Sequence, residues 1–280
     1  MRTAAIVNLK GGVGKSTTAI NLALIMATVY KYRVLLVDND IQANVSKFFG
    51  VHSYDYKSME NVLRDTDTMA EDVIRSSGRV GLDIIPANMN MDAAAVDLML
   101  DQEANQIVRL KDVLDQVEEQ YDYCLIDCPP GVGINVLNQV EENYDYCIID
   151  CHPGVGIEVL NALTAAEDII IPIKADKNAL DGMEELTEVI EEIRPYNPGL
   201  SLVKCLVTMF TNDISVVKGE EALRKSEYST FNTHIRYSKK VVDWTYEKRK
   251  SLIETTPRSA ATRDYKSLAA EYIRLTRKEG

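Results

Sequence analysis

Short apolar runs, separated by polar and helical stretches, set the rhythm of this chain. Ala4-Ala5-Ile6-Val7, Arg33-Val34-Leu35-Leu36-Val37-Asp38 and Leu82-Asp83-Ile84-Ile85-Pro86 are the first three. Asp168-Ile169-Ile170-Ile171-Pro172-Ile173 and Leu202-Val203-Lys204-Cys205-Leu206-Val207 follow. Nearly continuous apolar runs suit strands buried on both faces, whereas half-exposed strands alternate. Helical patterns lie between them, at about 18–29, 91–100, 105–119 and 180–194, with a last one from about 259 to 278. This alternation predicts an α/β fold, with a mostly parallel, doubly wound sheet flanked by helices. No Gly/Ser/Pro-rich linker interrupts the 280 residues, so a single domain over 1–280 is expected.

The join between the first strand and the first helix carries the clearest chemistry. It reads Lys10-Gly11-Gly12-Val13-Gly14-Lys15-Ser16-Thr17. Strand, glycine-rich loop and helix form the setting of a phosphate cradle, because glycines let backbone N–H groups turn inward around an anion. The following helix adds unpaired N–H groups and the positive end of its dipole. Gly11 to Thr17 are the expected nucleotide contacts, with Lys15 reaching the β- and γ-phosphates and Ser16 ligating Mg²⁺. Leu9 stands where the general G-x-x-x-x-G-K-[ST] pattern has glycine, and a second lysine, Lys10, stands beside it.

That extra lysine marks a deviant Walker A loop, and in it the chain resembles the ParA/MinD family of dimerising P-loop ATPases. The resemblance implies ATP and Mg²⁺ as cofactors and a homodimer in the ATP state, with Lys10 reaching the partner's nucleotide. It also implies slow hydrolysis of ATP to ADP and phosphate. The segment Asp38-Asn39-Asp40-Ile41-Gln42-Ala43-Asn44 resembles the family's D-x-D-P-Q-x-N, with Ile41 in place of proline. Asp40 would then orient the attacking water.

The middle of the chain is duplicated. Residues 116–138 (QVEEQYDYCLIDCPPGVGINVLN) recur as 139–161 (QVEENYDYCIIDCHPGVGIEVLN), with four differences over a 23-residue period. Each copy reads as strand, loop and helix, its strand ending in Asp127 or Asp150 as a Walker B strand does. The Pro/Gly turn after it resembles the family's switch II loop. One aspartate would complete the metal shell beside Lys15 and Ser16, and the other copy would be an extra β–α unit, an edge addition or a looped-out insertion. The second copy runs on through Ala162-Leu163 into the next strand, so Asp150 is expected in place and Asp127 is the alternative. An in-place first copy would move every later strand along by one. Cys124, Cys128, Cys147 and Cys151 form two C-x₃-C pairs only because the unit is copied; they read as buried small apolar residues, and His152 as a solvated loop residue.

Charge narrows the partner. The net charge is −12, yet residues 217–280 carry 15 Lys and Arg against 9 Asp and Glu. An acidic body with a basic C-terminal region predicts a polyanion-binding face. Phe231 to Lys240 resembles the family stretch ending in Arg-Ser-x-Lys, and Thr256-Pro257-Arg258-Ser259-Ala260 its Pro-Arg-Ser turn. Arg236, Lys239, Lys240 and Arg258 are the implied contacts to non-specific double-stranded DNA. The implied role is partition of a plasmid, conjugative element or chromosome, triggered by a ParB-like partner. The start of the chain, Met1-Arg2-Thr3, enters the first strand directly, so a cytoplasmic location is expected, and the resemblance implies association with the nucleoid. The final helical pattern reads as core-facing, not as a membrane-targeting helix. Two alternatives stay open, a MinD-like membrane-associated positioning ATPase and a nucleotide-binding scaffold whose hydrolysis the duplication impairs.

Overall fold

The computed structural model of the protein describes residues 1–100, 106–130, 156–176, 181–239 and 249–277. Its strands are β1 (Arg2–Ile6), β2 (Val34–Asp38), β3 (Arg75–Arg79), β4 (Leu82–Ile85), β5 (Tyr123–Asp127), β6 (Asp168–Lys174) and β7 (Leu202–Thr208). They form one sheet in the order β3-β4-β2-β5-β1-β6-β7, parallel throughout except for β3, which runs antiparallel along β4. The helices are α1 (Lys15–Thr28), α2 (Asn44–Phe49), α3 (Met59–Arg64), α4 (Ala70–Val73), α5 (Met91–Leu100) and α6 (Arg109–Asp115). They continue as α7 (Ile157–Ala165), α8 (Asp181–Ile193), α9 (Ile214–Lys225), α10 (Leu252–Thr255) and α11 (Ala260–Thr276).

Alternate residues of each strand serve opposite faces of the sheet. Val34, Leu36, Ile6 and Leu125 pack with Leu22, Ile25, Leu268 and Tyr272 of α1 and α11. Leu35, Val37, Cys124 and Ile126 pack on the other side with Met91, Val159, Leu163, Leu186 and Ile190 of α5, α7 and α8. Both layers of helices are therefore needed, and strands this apolar would be insoluble without them. At the sheet's lower end Asp168 is fully buried, held by Arg2 at 2.6 and 2.8 Å and by the Tyr272 hydroxyl at 2.7 Å. This pairing pins β6 and α11 to the first strand.

The duplicated segment is divided between two jobs. β5, between β1 and β2, comes from the first copy, while α7 comes from the second. The helix choice follows from what comes next: Ala162 and Leu163 are fully buried, and the first copy would put Gln139 and Val140 there, followed by two glutamates. The expectation that the second copy's strand stands in place is thus corrected. An in-place first copy does not displace later strands either, because β6 still pairs directly with β1. Asp150, Cys147, Cys151 and His152 lie outside the described residues, as does Lys240. Among the described residues no strand comes from the second copy.

Candidate functional site

The loop 10–17 leaves β1 at the C-terminal edge of the sheet and enters α1. Gly12 and Gly14 take left-handed backbone angles, φ 71° and 88°, which a side chain would strain. Gly14 is the N-cap of α1 and brings no capping side chain, so the helix's first N–H groups stay open to an anion. Two side chains brace the loop from outside it. Asn8 accepts the Lys10 N–H at 2.8 Å and donates to the Pro172 carbonyl at 2.8 Å, and the Thr208 hydroxyl donates to the Val13 carbonyl at 2.8 Å. Pro172 is in β6 and Thr208 ends β7, so the cradle is referenced to two further strands.

Lys15 is buried, its ammonium donating to the carbonyls of Asn8 at 2.9 Å and Lys10 at 3.0 Å. Burial lowers its pKa, while Asp127, Cys128 and Asp40 work the other way. The Lys10 ammonium is half exposed and stands 4.0 Å from Asp176.

Three carboxylates end the neighbouring strands. Asp38 and Asp127 are register partners at the ends of β2 and β5, both fully buried, and Asp40 follows two residues later at 5% exposure. One Asp38 oxygen accepts the Ser46 N–H at 2.7 Å and hydroxyl at 2.6 Å; burial nevertheless pushes its carboxyl up to about 7, with Asp40 adding to the shift. Burial likewise raises Asp127 well above the carboxylate range, and Asp38 and Asp40 reinforce it against the pull of the Ser16 hydroxyl and Lys15. Asp40 is raised by burial, opposed by the Gln42 N–H and by Lys15 and Lys47.

The other Asp38 oxygen, both Asp127 oxygens and the Asn39 amide oxygen are buried and make no well-formed hydrogen bond, although the Ser16 hydroxyl draws on Asp127. Buried oxygens ordinarily have partners. The three carboxylate oxygens among them, coupled to each other and to the Ser16 hydroxyl beside a phosphate cradle, fit a hydrated divalent cation. Among the described residues no three acidic, His or Cys side chains converge tightly enough to hold an ion alone. Mg²⁺ suits that arrangement, since it keeps several waters and takes few protein ligands.

Beside the cradle, a cavity of about 240 Å³ runs between Gly14, Thr17, Met209, Ile235, Tyr237 and Tyr265. Its walls are mainly apolar, as a flat aromatic group requires.

The basic residues divide. Arg236 is committed to Asp264 of α11, through two guanidinium bonds of 2.5 and 2.9 Å and its own N–H at 3.1 Å. Lys239 and Arg258 are exposed, as are Arg249 and Lys250. Cys124 and Cys128 are buried thiols whose pKa values burial raises. Thr208-Met209-Phe210, after the Leu202–Val207 strand, resembles in sequence the family's base-pocket region, and Thr208 and Met209 do line the cavity beside the cradle. Sequence reasoning passed over Asn8 and Asn39, for which a lone polar residue near a strand end was the available signal.

A family model described as an AAA domain matches this chain over residues 1–138 and again over 134–202, the two matches meeting within the duplication. The sporulation initiation inhibitor protein Soj of Bacillus subtilis is 30% identical over 270 residues, covering 95% of this chain and 96% of that protein. Among solved structures, apo McdA of Cyanothece superposes with a TM-score of 0.78 at 19% identity, over 98% of this chain and 99% of that one. A plasmid partition protein of Borrelia burgdorferi bound to AMPPNP gives 0.75 at 20% identity, over 98% and 99%.

Proposed function

The chain belongs to the ParA/MinD family of P-loop ATPases, and from that premise we propose that it is a DNA-partition ATPase which dimerises around ATP and Mg²⁺. The observation that carries the reading is the pairing of a left-handed glycine cradle with three buried carboxylate oxygens of Asp38 and Asp127 that make no well-formed hydrogen bond.

ATP·Mg²⁺ would supply the transferable phosphoryl group and the positive charge that draws its oxygens together. The residues supply position and field. The N–H groups of Gly11 to Thr17 and the Lys15 ammonium hold the phosphates. Ser16 and Asp127 hold the metal or its waters; Asp150, from the second copy, is not needed for this. Asp40 orients water in line with the γ-phosphate, and Lys10 leaves Asp176 to act across the dimer. The apolar cavity by Met209 and Tyr265 takes the base.

Lys239, Arg258 and their neighbours meet DNA phosphates without reading bases, with Lys240 as a further charge of the same stretch. Arg236 instead holds α11 through Asp264. A ParB-like partner accelerates hydrolysis, and the protein works on the nucleoid in the cytoplasm. A membrane-bound role is disfavoured because α11 spends Leu268, Ala269 and Tyr272 on the core. Among the described residues no helix is long and apolar enough to cross a membrane. The duplication favours one second reading, tight nucleotide binding without turnover, because it inserts a full period between Asp127 and α7.

Phosphate release with and without DNA, measured beside ATP affinity, separates the two. Turnover that DNA and a ParB-like partner raise supports the ATPase. Binding with no release under any of these conditions leaves the scaffold.

A further inference from the structure

Asn39 is fully buried between Asp38 and Asp40. Its backbone N–H donates to the Asp127 carbonyl at 3.0 Å, and its side-chain Nδ2 donates to the Glu158 carbonyl at 2.8 Å. The partner is a carbonyl, which fixes which end of the amide faces it. The other end, Oδ1, meets no donor. One residue therefore touches the loop that carries Asp40, the end of β5 and the first turn of α7.

Along the chain, β5 and α7 are joined only through residues 128–156. The body of α7 is held by the core and by Asn161, which bonds the Gln106 and Ile157 carbonyls and the Leu110 N–H. Asn39 acts instead on the first turn of α7, from the side of the acidic loop. A leucine would fill the same volume and leave no oxygen unmet, so an amide kept here costs stability that its Nδ2 bond must justify.

We propose that Asn39 is a positioning residue for hydrolysis: its side-chain amide fixes the Asp40 loop against the first turn of α7. This rests on the ATPase reading given above. Asp40 must hold the attacking water in line with the phosphate, and a displacement of about 1 Å can cost on the order of 10²-fold in rate.

The test uses the full-length chain with Asn39→Leu, Asn39→Asp and Asn39→Gln. ATP affinity is read with a fluorescent nucleotide, turnover by phosphate release, and hydrogen exchange of peptides spanning 157–165 without nucleotide. Leucine and aspartate should lower kcat at least about tenfold while leaving affinity within about twofold. Both should also speed exchange at the start of α7. Glutamine keeps the donor and should recover part of each loss. The proposal is overturned if exchange in 157–165 is unchanged in Asn39→Leu, or if kcat and affinity fall by the same factor. Should the unmodified chain bind ATP but never turn it over, the ATPase reading fails, and exchange alone still decides whether Asn39 holds α7.

Discussion

Asp38 and Asp127 lie opposite each other in adjacent parallel strands, both without solvent exposure, and three of their four carboxylate oxygens make no well-formed hydrogen bond. Burial makes both hard to ionise, and neighbouring charge adds to it: Asp38 raises Asp127, and Asp40 raises Asp38. The polypeptide alone leaves this pair unresolved.

A pH dependence follows, with a definite sign. Both carboxyls titrate above their unfolded values, so between about pH 4 and 7 the folded chain binds more protons than the unfolded one. Their contribution to stability is present below the unfolded pKa and is lost as pH rises through the folded one, about 7 for Asp38. The metal-free protein should melt lower at pH 7.5 than at pH 5.5. Asp127→Asn should raise Tm at pH 7.5, at about 2–4 °C per kcal/mol relieved. A lower Tm for this variant at pH 7.5 would mean that the ionised pair does not destabilise the metal-free fold.

Only the first copy should be needed for catalysis. Asp127→Ala should cut phosphate release by about 10²-fold or more, as loss of a group that organises transition-state charge does. Asp150→Ala should stay within about twofold of the parent, a change in barrier below about 0.5 kcal/mol. Equal losses in the two variants, assayed side by side, would mean that the strand slot is not reserved for the first copy.

The two loop lysines should separate binding from assembly. Lys15→Ala removes a buried cation from the phosphates and should weaken ATP by about 10- to 10²-fold, since a charged hydrogen-bond partner contributes about 1.5–3 kcal/mol. Lys10→Ala should bind ATP nearly as the parent does but sediment as a monomer with ATP present. Analytical ultracentrifugation with a slowly hydrolysed analogue decides this, and a dimer of Lys10→Ala would remove its proposed role across the interface.

The basic residues should fall into two classes. Arg258→Ala and Lys239→Ala should leave Tm within about 1–2 °C, as surface changes do, and each should lower the salt slope of DNA affinity by about 1. Arg236→Ala strands the largely buried Asp264 and should cost stability, seen as a clear loss in Tm. Arg236→Ala with an unchanged Tm and weak DNA binding would return it to the DNA face.

The strands were legible where burial on both faces made them continuously apolar, as at Val34–Asp38 and Asp168–Lys174. β3 was not, because Arg75-Ser76-Ser77-Gly78-Arg79 sits at an edge, paired on one side only, and carries almost no apolar signal. The helical pattern at 105–119 shrinks to Arg109–Asp115, and α2, α3 and α4 are too short for a period to show. Within the site, Lys10 to Thr17 and Asp40 were readable because their spacing is local. The bonds from Thr208 to Val13 and from Asn39 to Glu158 join residues far apart in the chain, and no local spacing announces them.

Because the strand is taken from one copy and the helix from the other, residues 131–153 can be cut from the gene in frame without removing any described residue. Pro130 would then run directly into Gly154, as each copy's own proline runs into glycine. Recombination between repeated coding segments produces that kind of deletion. An uninterrupted form of the protein is thus a single genetic event away, and a lineage in which the insertion were harmful would have a ready route to discard it.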